Sequence, residues 1–152
     1  MSVPTGVLSN MSDAHRERLL ELASVTLIPA GVRLFEEGSR ADRFWVIRRG
    51  GVALDVHVPG RRAPVVETLG EGDLVGWSWL APPRRWHLGA QTLTEVEAFE
   101  FDAEAVTGLC RDEPALGLEL VTAVATVIGH RLAASRRRLL DLYGPAGSGP
   151  LL

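Results

Sequence analysis

Residues 76–90, GWSWLAPPRRWHLGA, gather most of the chemistry this chain displays. Three of the four tryptophans, a double proline and a double arginine stand together there. Adjacent guanidinium groups hold anions by charge-assisted hydrogen bonds, and indoles offer broad apolar faces. His87, beside Trp86 and the arginines, adds a polar contact. The segment is therefore an aromatic core element, a ligand pocket, or a pocket overwritten by its own side chains.

Few other residues suggest chemistry. His15, His57, His87 and His130 show neither ligand spacing nor a paired nucleophile, so no metal site and no catalysis are expected. Cys110 reads as a packing residue near a helix end. Glu36-Glu37 and Glu95/Glu97 fall on turns or strand faces and read as solubility features.

The remaining composition narrows the setting. A chain of 152 residues, 46% of them hydrophobic, suffices for one globular domain with its own core. Its net charge of −3 offers no global basic field to nucleic acid. The lone cysteine excludes an intrachain disulfide. With neither a signal-peptide pattern nor an unbroken apolar run of about 18 residues, no membrane association is expected, and the cytoplasm is the expected compartment.

The elements that must position residues 76–87 come in two styles. A helix is expected over 12–24, with Ser12 as N-cap and an apolar stripe at Leu19, Leu20, Leu22 and Ala23. From Val25 to Asp102, short strands end at Gly- or Pro-containing turns: VTLI, VRLF, RFWVIRR, VALDVHV, APVVETL, HLGAQTL and EVEAFEF. VALDVHV alternates strictly and stops at Pro59-Gly60-Arg61-Arg62. Regular short strands with such turns predict an antiparallel barrel or jelly roll. Asp102 caps a short helix to about Arg111, and Pro114 opens a long one.

Along that last helix Leu118, Val121, Ala125, Ile128, Leu132, Ser135, Leu139 and Leu142 recur with alternating spacings of three and four. This is a coiled-coil seam of about 25 residues, roughly 37 Å long, more than one small barrel can cover. It predicts a homodimer. Arg136, Arg137 and Arg138 flank the seam, placed for interhelical ion pairs and complementing the helix C-terminal dipole. The Gly/Pro-rich tail 144–152 is expected to be flexible.

Two stretches resemble a known family. GSRADRFWVIRRGGV, Gly38 to Val52, resembles the Gly-x-x-Ala-Asp-x-aromatic-aromatic-Val-Ile-x-x-Gly-x-Val pattern of cyclic-nucleotide-binding domains of the catabolite-activator and fumarate-nitrate-regulator superfamily. LGEGDLVG, 69–76, resembles the strand that enters that family's phosphate-binding cassette, and the long helix resembles its dimer helix. The resemblance implies a mainly β fold, a β-roll or jelly roll (double-stranded β-helix) over about 25–102. Flanking helices and the dimerisation helix follow over about 102–143, within a single domain 1–143.

The resemblance also implies a ligand site at Gly76, Trp77, Ser78, Arg84, Arg85, Trp86 and His87. In the family pattern a glutamate follows the glycine and accepts from the ribose 2′-hydroxyl, and a Pro-Arg pair precedes two small residues. Here Gly76 and Pro83-Arg84 match, Trp77 takes the glutamate position, and Arg85 and Trp86 replace the small residues. Losing the acceptor costs about 1–3 kcal/mol in affinity. The indoles either wall a site for a cyclic nucleotide or other small anionic ligand, or plug it. If they plug it, Trp77→Ala is expected to cost about 3–5 kcal/mol.

The function implied is a non-enzymatic sensor or adaptor that dimerises through its last helix and signals to a partner protein. Two alternatives stand beside it: a structural interaction subunit with a tryptophan-filled pocket, and a regulator acting on transcription through another chain. Direct DNA binding is not expected, because a helix-turn-helix after the dimer helix would need roughly 60 further residues.

Overall fold

The computed structural model describes residues 6–143, so the expectation for 144–152 lies outside the described residues. Eight strands follow a short 3-10 turn at Gly6–Asn10 and helix α1, Asp13–Leu20. They are β1 Ser24–Ile28, β2 Arg33–Phe35, β3 Arg43–Arg49, β4 Val52–Asp55, β5 Val65–Leu69, β6 Leu74–Val75, β7 Gly89–Thr92 and β8 Val96–Asp102. Helices α2, Ala103–Asp112, and α3, Pro114–Tyr143, complete the chain.

The pairing is that of a jelly roll. β1 joins β8, β2 joins β7, β3 joins β6 and β4 joins β5, all antiparallel, as in one long hairpin rolled on itself. Cross-pairs β3–β8 and β4–β7 close two four-stranded sheets, ordered β1-β8-β3-β6 and β2-β7-β4-β5. Phe44, Ile47, Val52, Leu74, Val96 and Phe101 are among the fully buried side chains of the core.

Three expectations need correction. The first helix stops at Leu20, and the N–H groups of Leu22 and Ala23 reach back only three residues before the β-branched run of β1 takes over. Ser12 does sit at the N-cap position, but its side chain makes no cap bond; its N–H instead donates to Glu119 Oε1 at 2.8 Å. The strand expected over VALDVHV ends at Asp55, and all four of its residues are buried. β4 is an interior strand, and Asp55 is tolerated there because Arg33 donates to both of its oxygens, at 2.5 and 3.2 Å. Its hydrogen bonds to Asp55, and next to Glu36, raise the Arg33 pKa. Gly89 lets this pair form, because a Cβ there would lie 2.3 Å from Arg33 Nη2.

The last helices follow the sequence more closely. Asp102 Oδ2 accepts from the N–H of Ala105 at 2.9 Å, the expected cap of α2. Cys110 is half-buried, and burial pushes its thiol pKa up, as befits packing rather than reactivity.

Helix α3 carries two stripes. Leu116, Leu120, Ala123 and Val124 are buried against the rest of the fold, while the seam faces outward: Leu118 is 69% exposed and Leu142 72%. Within the seam, Ile128 is partly buried against the core. From Leu132 to Tyr143 no residue is buried, although Leu132, Ser135 and Arg138 still face the roll across a groove. Arg136–Arg138 are exposed, but the final turn holds no basic residue, so the expected complement to the helix dipole is displaced upstream. By length and composition α3 also meets the threshold for crossing a membrane, a test that core helices of soluble proteins pass as well. Leucine, valine, isoleucine and alanine keep its average apolar, while glycine, threonine and glutamate interrupt the run.

Candidate functional site

β6 delivers the chain to Gly76, whose φ of +97° suits only glycine comfortably. A Cβ there would lie 2.6 Å from the six-membered ring of Trp86. Trp77 leads a 3-10 turn at Ser78–Leu80, and Trp79 closes it by donating Nε1–H to the Gly76 carbonyl at 3.0 Å. Trp79 itself is core, stacked on Phe44 at 4.3 Å.

The return limb is fastened to the loop carrying the first motif. The N–H of Gly38 donates to the Trp86 carbonyl, that of Trp86 to Ser39, and that of Ala41 to Arg84. This zipper fixes Trp86, which is 4% exposed and stacks on Phe35 with ring centroids 3.8 Å apart. The indole lies over the backbone of Gly76, where the cassette of the resembled family cradles a cyclic phosphate. The cavity left among Phe35, Gly76, Ser78, Trp86 and His87 has a volume of about 30 Å³. Room for one water remains, not for a ribose phosphate.

Each expected site residue can now be placed. Trp77 is half-buried and stacks on His87 at 4.9 Å, and Ser78 Oγ lies 2.8 Å from His87 Nδ1, within hydrogen-bond distance. Gly76, Trp77, Ser78, Trp86 and His87 thus share one small cavity. Arg84 and Arg85 do not line it. Arg84, held at a φ of +55°, donates from Nε to the Trp79 carbonyl at 3.3 Å and faces a depression shared with Arg40 and Arg111. Arg85 donates to the Gly38 carbonyl at 3.1 Å and is exposed.

The cation that does line the cavity is Arg131 of α3, which donates to the carbonyl of Leu74 and lies 3.7 Å from Glu67. Burial lowers its pKa, while Glu67 and Asp73 act in the opposite sense. Sequence reasoning missed it, although a signal exists. Leu116, Leu120, Val124 and Val127 form the inward stripe, and the next position on that stripe is arginine. Phe35, which ends β2, was missed for the opposite reason: it reads as ordinary core.

Beside the filled cradle a wider groove of about 420 Å³ opens between the roll and α3. Trp77, Leu88 and Leu54 form one wall, and Ile128, Leu132 and Ser135 the other. Arg131 and Arg138 contribute charge. A pocket of this volume suits a small organic ligand.

Comparison with known proteins agrees with the geometry. The family model described as the cyclic nucleotide-binding domain matches residues 25–113. Over 114 residues the chain is 29% identical to the CRP-like cAMP-activated global transcriptional regulator of Mycobacterium tuberculosis, covering 75% of this chain and 49% of that protein. It therefore spans about half the length of the curated relatives it matches. In fold it is similar to a cyclic nucleotide-binding domain from Methylobacillus flagellatus, with TM-score 0.79 and 18% identity over 93% of this chain and 78% of that one. It is also similar to the catabolite activator protein of Thermus thermophilus, with TM-score 0.73 and 20% identity over 91% of this chain and 63% of that one.

Proposed function

Because the chain belongs to the cyclic nucleotide-binding domain family, we propose that it is a non-enzymatic regulatory module that pairs with a second copy through α3. A small anionic ligand enters between the roll and that helix, and a partner protein reads the resulting change. One observation carries this reading: the 420 Å³ groove and the predicted seam share Ile128, Leu132 and Ser135. A ligand touching those residues alters the surface a second helix would pack against, so occupancy and helix pairing are linked. Linkage is reciprocal, and pairing in turn changes ligand affinity by the same factor.

Exposed leucines at 118, 132, 139 and 142 support pairing, since a helix with so much apolar surface is stabilised by covering it. The cradle of the resembled family is a poor fit for a cyclic nucleotide here. Trp77 replaces the hydroxyl acceptor, and Trp86 fills the phosphate's place with both arginines outside it. That same packing favours a second reading, an interaction subunit that binds no nucleotide and supplies a rigid dimer.

Disulfide trapping tests the pairing. In a Cys110→Ala background, Leu139→Cys is expected to oxidise rapidly to a covalent dimer, since two helices in register bring seam positions within bridging distance. Leu140→Cys, more exposed but off the seam, is expected to stay monomeric on denaturing gels. Equal trapping at both positions, or none at 139, contradicts the assigned seam.

A further inference from the structure

The groove between Trp77 and α3 has a chemical character of its own. Its walls are aliphatic and aromatic, with Val56 and Val66 extending the apolar surface beyond Leu54, Leu88 and the indole. Of its charged groups, Arg131 is already matched: it donates to the Leu74 carbonyl and faces Glu67 at 3.7 Å. Arg138 is exposed and has no ion-pair partner among the described residues. One uncompensated positive charge therefore stands at one end of an apolar slot. Polar groups that could satisfy a ribose or a purine edge are scarce, since Glu67 is engaged by Arg131 and Ser135 is the one hydroxyl in the lining.

We propose that this groove takes an apolar-bodied monocarboxylate, its ring or chain lying against Trp77 and Leu88 and its carboxylate paired with Arg138. The inference rests on the ligand-responsive reading above and names the ligand class of that site. A guanidinium and a carboxylate form two parallel hydrogen bonds, which one free arginine can supply in full. A second negative charge on the ligand finds no partner. The polar edges of a nucleotide lose water without replacement, and each such loss weakens binding. The apolar body gains from leaving water against the walls, and stacking on an indole adds to this. The ligand then also covers Ile128 and Leu132, the seam residues through which it acts.

The test is calorimetry and tryptophan fluorescence on the full chain with 1-naphthoate as the probe. Its neutral analogue 1-naphthalenemethanol and cyclic AMP serve as comparators. Saturable binding of 1-naphthoate is expected, weakened about tenfold or more by Arg138→Ala and by neutralising the carboxylate. Arg84→Ala, outside the groove, is expected to leave it unchanged. No saturable binding, equal binding of the neutral analogue, tighter binding of cyclic AMP, or sensitivity to Arg84 rather than Arg138 would each overturn the proposal. Trapping at Leu139→Cys separates the two failures. If it succeeds while naphthoate fails to bind, the ligand class falls and the dimer stands; if it fails too, the regulatory reading falls with it.

Discussion

At the scale of single residues, the decisive side chain is Trp86 rather than Trp77. Trp86 is sandwiched between Phe35 and the Gly76 backbone, so Trp86→Ala is expected to cost about 3–5 kcal/mol in urea denaturation. Trp77 is half-buried against His87, so Trp77→Ala is expected to cost about 1–2 kcal/mol, less than the sequence reading anticipated for it. The sequence made the crowding of the cassette legible, but not which indole turned inward. A 3-10 turn after Trp77 and a left-handed Arg84 reset the alternation on which such an inference depends. Glu119 offers a second test at this scale. The Ser12 N–H, with a smaller contribution from His15, holds its pKa below the usual 4.5. A lowered folded-state pKa means stability that is present above about pH 4.5 and lost as pH falls through the lowered value. Glu119→Gln is therefore expected to melt lower than wild type at pH 7, with the gap narrowing by pH 3.

At the scale of elements, turn chemistry carried most of the fold. Gly38, Gly50, Gly60 and Gly72 all adopt positive φ where strands were expected to end, so the strand ends could be read before any pairing was known. What could not be read was how deeply β4 lies. Val52 to Asp55 are all buried, Asp55 included, and what permits the carboxylate there is Arg33, 22 residues away. Removing that partner's counter-charge exposes the dependence. Asp55→Ala leaves the Arg33 guanidinium with Glu36 as its remaining carboxylate and is expected to cost about 1–3 kcal/mol, read as a lower urea midpoint at unchanged m-value. Helix α3 was legible in its outer stripe and opaque in its inner one. The heptad seam stood out because seven of its eight residues are apolar, whereas Arg131 broke the inward stripe and its role appeared only with Leu74 and Glu67 in place.

At the scale of the whole molecule, the unfinished surface is the seam. The roll satisfies its own core, but α3 leaves Leu118, Leu132, Leu139 and Leu142 in water, and three seam residues double as a wall of the ligand groove. A single chain cannot disclose its partner, which is why the sequence supplies the seam and not the assembly. Sedimentation of the wild-type chain at micromolar concentration, beside Leu139→Glu, tests this most directly. The account predicts a wild-type dimer and a folded Leu139→Glu monomer whose tryptophans, all within residues 45–86, keep the emission spectrum of the folded roll. A wild-type monomer, or a dimer that survives the glutamate, would contradict it.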